Sequence, residues 1–260
     1  MNAAEQRRAL NAAISAIAAI VRAIIAREGV PVTEDERARM AAQVLHTVVA
    51  GRQAALAVAQ AQLGYPPGVR MLPPEYRLQA PMKLIRDVVD REGVTGASRR
   101  DPLVAKKTTL AIVRGLERHA EQPAREAVIE YADDTPDGAW ARVLTGARSC
   151  YFCAMLASRG PVYESRHTAL TGKGTGTSTR DGKLVYVFHD GCDCIVVFVP
   201  NAKRNMHWEG RTEWKRLETK WRECDEDGRL RADDDDRPTV NVFRSWWESA
   251  VREGDTSRYI

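Results

Sequence analysis

Cys150-Tyr-Phe-Cys153 and His189-Asp-Gly-Cys192-Asp-Cys194 together contain four of the five cysteines of this 260-residue chain. A C-x-x-C pair at a bend can place two thiolates on one ion. In a strand, residues 192 and 194 would point to the same face and could reach that ion. Zinc binds four sulfur or nitrogen ligands in a tetrahedron. The spacing therefore predicts a structural zinc site, with four ligands drawn from the five donors Cys150, Cys153, His189, Cys192 and Cys194.

Two other interpretations of the cysteines stay open. Free cysteine is among the most buried residue types, so the four thiols could be packed in a core without metal. Redox or disulfide chemistry is the third interpretation, although the C-x-x-C does not follow a strand as it does in thioredoxin-like motifs. Cys224 lies outside the cluster, and we expect it to behave as an ordinary thiol.

The composition is that of an ordinary globular chain, with 44% hydrophobic and 28% charged residues and a formal net charge of +4. This surplus is too small to indicate a nucleic-acid binder, whose basic residues are usually concentrated. The longest charge-free apolar stretch, residues 9–21, is shorter than the roughly 20 residues that cross a bilayer. It also ends without a signal-peptide cleavage site. We therefore expect a cytoplasmic chain with no membrane partner.

The N-terminal half is predicted to be mainly helical. Apolar residues recur at three- and four-residue spacing over 3–29, and Thr33 with Glu36 forms a capping-box pattern that opens a second helix. A Pro-rich connection and a short helix over 82–92 follow. A further helix begins after the N-cap residue Asp101 and is expected to break or kink at Pro123.

The pattern changes after a turn cluster at 133–138. Residues 139–156 have helical character, whereas 184–188 and 195–199 are β-branched and aromatic runs of strand length. Tryptophans after residue 207 indicate further helices. The fold class is thus predicted to be α+β, with three parts: a helical docking domain at 1–135, a Cys/His module at 136–200 and a C-terminal helical extension at 201–260.

The sequence offers little for enzymatic chemistry. Gly172-Lys173-Gly174 lacks the strand and the upstream glycine of a P-loop. The H-E-x-x-H motif of metalloproteases is absent. Zinc deaminases need a P-C-x-x-C after their H-x-E, whereas here Cys150 follows Ser149 and the His-bearing segment at 189 comes after the C-x-x-C. A nucleophilic Cys150 with His189 as its base would leave the neighbouring cysteines without a role. We therefore expect a protein that is not an enzyme.

The cysteines lie in a longer pattern. It reads Arg142-Val-Leu-Thr-Gly-Ala-Arg-Ser-Cys150-Tyr-Phe-Cys153-Ala-Met-Leu-Ala-Ser-Arg-Gly-Pro-Val-Tyr163 and continues as Phe188-His189-Asp-Gly-Cys192-Asp-Cys194 with a valine-rich strand. This pattern resembles the MuF-like minor capsid proteins of tailed phages, and most of all those of the actinobacterial-phage branch. The similarity spans roughly 139–200, with a weaker echo in Asn241-Val-Phe-Arg-Ser-Trp.

The resemblance implies a head-morphogenesis protein that joins the capsid near the portal and can be packaged inside the head. Its expected partners are the portal and the major capsid or scaffolding proteins, with packaged DNA as a further contact. The expected location is the virion after assembly in the host cytoplasm. In that family the two cysteine-bearing segments form the shared core of the domain. Two rival functions stay open: a nucleic-acid-binding zinc module and a capsid maturation protease.

Overall fold

The computed structural model describes residues 2–66, 71–146, 149–161, 191–192, 194–229 and 238–252. Within these ranges the order of elements is α1 (Ala3–Glu28), α2 (Glu34–Gln62), α3 (Gln79–Arg91), α4 (Pro102–Asp133), β1 (Ala139–Val143), α5 (Tyr151–Ala157), β2 (Ile195–Val199), α6 (Arg211–Arg229) and α7 (Pro238–Arg252). The α+β class and the helical N-terminal half are confirmed. His189, the predicted strand at 184–188 and the P-loop candidate at 172–174 lie outside the described residues.

The chain divides into two compact units. The first unit contains Arg8–Ala127 together with Phe188–Gly191, and the second contains the N-terminal residues up to Arg7 with the rest of the chain from Val128 onward. The division falls within α1, after Arg7, and within α4, after Ala127. The three-part division at residues 135 and 200 stays a prediction.

The apolar stripe of α1 forms part of the core of the first unit. Ile17 and Val21 are fully buried and belong to one cluster with Val44 of α2, Ile85 of α3 and Leu116 of α4. The three- and four-residue spacing places the apolar residues of α1 on one face, and this face packs against the neighbouring helices, as is usual for an amphipathic helix. The apolar face of α1 is therefore covered by other helices of the same unit.

By length and composition alone, α1 is also long and apolar enough to cross a membrane. That is a weak indication, because the core helix of a globular unit meets the same criterion. The expectation of no membrane partner stays a prediction.

The predicted capping box at the start of α2 is confirmed. The Thr33 hydroxyl accepts a hydrogen bond from the Glu36 N–H at 3.3 Å, and the Glu36 carboxylate accepts one from the Thr33 N–H at 3.0 Å. Arg99 donates to the other oxygen of Glu36 at 2.6 Å. The Thr33 N–H, with help from Arg99, lowers the pKa of Glu36 to about 2. The charged carboxylate thus holds the beginning of α2 in place.

α4 continues through Pro123 to Asp133, so the predicted break at this proline is wrong, while the continuation of the helical run to about Tyr131 is confirmed and the alternative of a kink stays a prediction. Proline has no N–H, so the carbonyl of His119, four residues earlier, loses its helical partner. In this structure Arg52 of α2 donates to the His119 carbonyl at 2.7 Å and replaces the missing hydrogen bond. Arg52 is 95% buried and also donates to the Pro74 carbonyl of the Pro-rich connection.

The second unit contains a two-stranded antiparallel sheet, and here the sequence prediction needs a correction. The start of the 139–156 segment is strand β1 rather than helix, and only Tyr151–Ala157 is helical. Trp140 of β1 lies opposite Phe198 of β2, and Val143 lies opposite Ile195. The partner strand is distant in the chain, so local periodicity could not show the pairing. The prediction of strand at 195–199 is confirmed.

Three helices pack on one another in the same unit. Apolar residues of α5, α6 and α7 form one core cluster, including Leu156, Leu217, Phe243 and Trp247. The C-terminal helices α6 and α7 belong to the unit that holds β1, β2 and α5.

The Glu36 carboxylate generates a prediction about pH. A carboxyl group whose pKa is lowered on folding stabilises the folded state above its unfolded pKa, and this contribution is lost as the pH falls toward the folded value. Glu36→Gln should therefore lower the free energy of unfolding by about 1 kcal/mol at pH 7. The difference from the wild type should shrink steadily between pH 5 and pH 2.

Urea unfolding followed by circular dichroism at several pH values measures this difference. Asp35→Asn is the matched control, since it removes one negative charge from the same turn without touching the capping box. Equal stability of Glu36→Gln and the wild type at pH 7 would contradict the assignment.

Candidate metal centre

Three cysteines from the two predicted segments meet in the interior of the second unit. The Sγ atom of Cys192 lies 3.1 Å from the Sγ of Cys153 and 3.1 Å from the Sγ of Cys194. All three sulfurs lie within 4.8 Å of one another, and all three residues are buried. We call Cys153, Cys192 and Cys194 the sulfur cluster.

The fourth predicted cysteine, Cys150, lies at the edge of the sulfur cluster. It is the N-cap residue of α5, and its Sγ accepts a hydrogen bond from the Cys153 N–H at 3.3 Å. The C-x-x-C spacing thus places one cysteine at the cap and the other in the first turn of the helix, on the same side. The Cys150 side chain also hydrogen-bonds the Cys153 thiol. It therefore stands beside the cluster without belonging to the three-sulfur group.

The second pair of cysteines is held differently from the expectation. Cys192 and Cys194 precede β2, which begins at Ile195, so their sulfurs do not converge through strand geometry. They converge in the segment that leads into the strand. Pairing of β2 with β1 fixes the end of that segment, since Ile195 lies opposite Val143.

The N-terminal side of α5 is fixed by a tryptophan of α7. The Nε1–H of Trp247 donates to the carbonyl of Ser149 at 2.7 Å, and Trp247 is almost fully buried. Ser149 directly precedes Cys150. The Trp247 side chain, 98 residues further along the chain, therefore fixes the backbone immediately before the C-x-x-C pair.

The donor chemistry of the sulfur cluster fits a metal ion. None of the five cysteines forms a disulfide, and the distances of 3.1 Å are far longer than an S–S bond of about 2.05 Å. Metal–sulfur bonds of about 2.3 Å place two sulfurs of a tetrahedral site about 3.8 Å apart. The cluster needs only a small adjustment to reach that spacing. Three buried cysteines in this arrangement could hold a metal ion.

The neighbouring cysteine side chains and burial disfavour the charged form of the Cys153 thiol. Hydrogen bonds with Cys150, Cys192 and Cys194, together with burial, raise the pKa of the Cys153 thiol well above its usual range. Adjacent thiolates repel one another, and burial disfavours the charged form. A bound metal ion reverses this preference, because a coordinating thiol is deprotonated.

A buried arginine lies against the cluster. Arg142 of β1 is 6% exposed, and its Nη1 donates to the Sγ of Cys194 at 3.6 Å. Its guanidinium also lies 5.9 Å from the centre of the Trp140 ring. Burying a guanidinium is costly unless a negative group lies nearby. A metal ion with three or four thiolates carries a net negative charge, so Arg142 and the loaded cluster would stabilise each other.

Of the five predicted ligands, the structure brings together Cys153, Cys192 and Cys194 and places Cys150 beside them. His189 lies outside the described residues, so its role as a ligand stays a prediction. Cys224 is buried in the core of the second unit and is not part of the sulfur cluster.

Sequence reasoning missed Arg142 and Trp247 as parts of this site. Arg142 lies in a segment with the pattern of a helix, and its contact with Cys194 forms only when β1 and β2 pair. Trp247 was recognised only as the start of a terminal helix. The weak sequence echo around residues 241–246 was the one signal that linked this helix to the cysteines.

Comparison of the sequence with known protein families identifies the family of this chain. The sequence model of the family described as VG15 protein matches residues 1–224 of the chain. The chain belongs to the VG15 family. The match covers both cysteine-bearing segments and α1–α5, and it ends before α7.

Two curated relatives of this VG15 chain come from mycobacteriophages. The Gene 15 protein of Mycobacterium phage D29 is 28% identical over 180 residues, which cover 59% of this chain and 62% of the relative. The Gene 15 protein of Mycobacterium phage L5 is 26% identical over 177 residues, covering 55% and 58%. The chain thus matches about three fifths of these relatives. No solved structure matches it. The expected phage origin is confirmed at the level of the family.

The sulfur cluster predicts a metal content that depends on individual cysteines. Purified chain should carry one metal ion per molecule, and Cys153→Ser, Cys192→Ser or Cys194→Ser should each remove it. Cys224→Ser is the matched control and should keep the ion, because this buried thiol lies outside the cluster. Elemental analysis of reduced, freshly purified protein measures the stoichiometry. A folded wild-type chain without metal would leave a thiol-lined core as the correct interpretation.

The contact between Arg142 and Cys194 predicts that the charge of Arg142 raises the affinity of the sulfur cluster for its metal ion. Arg142→Leu should weaken metal binding at least about tenfold in competition with a chromophoric chelator, whereas Arg142→Lys should restore most of it. Val196→Ala is the control, since Val196 lies opposite Arg142 in the sheet and carries no charge. The sulfur-to-cobalt absorption band of the Co²⁺-loaded proteins verifies that the same sulfurs bind. Equal affinity of the leucine variant and the wild type would exclude a role for the charge.

Proposed function

We propose that this chain is a minor capsid, head-morphogenesis protein of a tailed phage that joins the head near the portal and resides in the head interior. The observation that carries the proposal is the meeting of Cys153, Cys192 and Cys194 in one buried cluster. These residues carry the resemblance to MuF-like proteins. Membership of the VG15 family, whose two relatives named above are phage proteins, supports the same role.

The proposed task of the sulfur cluster is structural. Zinc is the ion we propose, since it accepts buried thiolates in a closed tetrahedral site and adds folding energy. Cys153, Cys192 and Cys194 would supply three ligands, and either Cys150 or His189 the fourth. The ion would tie α5 to β2 across the long segment between them. We propose no enzymatic step for this site.

The proposed partners are the portal and the major capsid or scaffolding proteins. In this role the first unit supplies a helical surface for docking, and the second unit supplies a metal-stabilised body. A body stabilised by metal–sulfur bonds suits a protein that must keep its shape during assembly.

The test uses the phage that encodes this chain. A nonsense mutation in its gene should yield defective heads, and wild-type protein supplied from a plasmid should restore infectious particles that contain it. Cys153→Ser should fail to complement, whereas Cys224→Ser should succeed. Mass spectrometry of purified particles and electron microscopy of heads provide the readouts.

Two outcomes would contradict the proposal. Normal infectious heads in the absence of the protein would exclude a role in morphogenesis. Accumulation of full-length major capsid protein in the mutant, with cleavage of that protein by the purified chain, would instead indicate the maturation protease.

A further inference from the structure

A groove lies within the first unit, between the C-terminal half of α1 and the N-terminal half of α4. Its cavity has a volume of about 530 Å³, within the range of binding pockets in general. Helical positions from both elements line it, together with Arg99 and Arg100 of the loop before α4. We call it the α1–α4 groove and define it by the following residues: Arg22, Ile25, Ala26, Arg100, Lys106 and Leu110.

The floor of the α1–α4 groove is apolar, and its α4 side is unusually exposed. Ile25 and Val113 are buried in the core beneath it. Leu110 is 46% exposed, and Leu103, two helical turns earlier on the same face, is 78% exposed. Only two other large hydrophobic residues, Leu72 and Met206, are this exposed in the part of the chain that the structure describes. Exposed leucines beside a cavity are typical of an interaction site.

The rim of the groove carries positive charges that are not balanced locally. Among the residues that the structure describes, Arg22, Arg100 and Lys106 form no ion pair. Other basic residues of the same unit are paired: Arg99 with Glu36, and Lys107 with Glu92. Three unpaired cations around an apolar floor favour a negatively charged occupant that also has an apolar face.

We propose that the α1–α4 groove binds an amphipathic helix of a partner protein, with acidic residues flanking its apolar face. The apolar side chains of that helix would contact Leu110 and the floor at i, i+3, i+4 and i+7 spacing. Its carboxylates would lie against Arg22, Arg100 and Lys106. This surface is separate from the sulfur cluster, and the proposal depends on neither the metal nor a role in head assembly.

A helix fits these features better than the other anionic partners. A bilayer surface is broad and flat, so it would touch the rim without filling a cavity between two helices. Duplex DNA offers phosphates to the three cations, but it has no apolar face for Leu103 and Leu110. A helix satisfies the charges and covers the leucines at once.

The test measures binding of a fluorescein-labelled synthetic peptide by anisotropy with the full chain. The peptide is an 18-residue helix with leucines on one face and glutamates on both flanks, and its control has every glutamate replaced by lysine. The acidic peptide should bind at least about tenfold more tightly than the basic one, and more weakly as the salt concentration rises.

Variants localise the binding to the groove. Arg22→Glu combined with Arg100→Glu and Lys106→Glu should abolish it, and Leu110→Ser alone should weaken it at least about tenfold. The control combines Arg8→Glu, Arg39→Glu and Arg204→Glu, three exposed basic residues elsewhere, and should bind normally. Circular dichroism verifies that each variant is folded. If the triple charge-reversal variant does not fold, the Leu110→Ser variant alone tests whether the peptide binds in the groove.

Three results would overturn the proposal. Equal binding of the acidic and basic peptides would show that the charges of the rim do not select the partner. Unchanged peptide binding by the Leu110→Ser variant would show that the α1–α4 groove is not the binding site. Binding of anionic phosphatidylglycerol vesicles or of a DNA duplex that the groove variants abolish, without binding of the acidic peptide, would assign the surface to a membrane or to nucleic acid.

Discussion

Three thiols that share one small buried space create the constraint on which the second unit depends. The sulfurs of Cys153, Cys192 and Cys194 lie within 4.8 Å of one another, so three thiolates there would repel one another, and burial disfavours their charged forms. They also join two parts of the chain, so their meeting closes a long loop at an entropic cost. A metal ion resolves both difficulties, because its bonds to sulfur stabilise the charge and offset the loop closure.

The surroundings of the cluster fit this account. Arg142 places a buried positive group against Cys194, and Trp247 fixes the residue before Cys150. These two contacts come from β1 and α7, so the elements of the second unit converge on the sulfurs from several directions. The first unit needs no such centre, because α1–α4 share a continuous apolar core. Its unusual features lie at the surface, in the α1–α4 groove.

Local sequence signals predicted what depends on near neighbours. The Thr33 and Glu36 capping box, the N-cap Asp101 and the stripe of α1 needed only residues a few positions apart. The continuity of α4 at Pro123 depended instead on Arg52 of α2. The guanidinium of Arg52 donates to the His119 carbonyl, which has no N–H partner within its own helix because residue 123 is a proline. β1 could not be recognised from its own sequence for the same reason, since its partner strand β2 begins only at Ile195. The site followed this rule: the cysteines were predictable from their spacing, whereas Arg142 and Trp247 were visible only after folding.

X-ray absorption at the zinc edge of the purified, full-length chain tests the central claim most directly, since it counts the atoms bound to the ion. The account predicts a first shell dominated by sulfur at about 2.3 Å, with three or four sulfurs and at most one nitrogen. A fourth sulfur would identify Cys150, and a nitrogen would favour His189. A shell of oxygen and nitrogen alone, or no zinc in folded and reduced protein, would contradict the account.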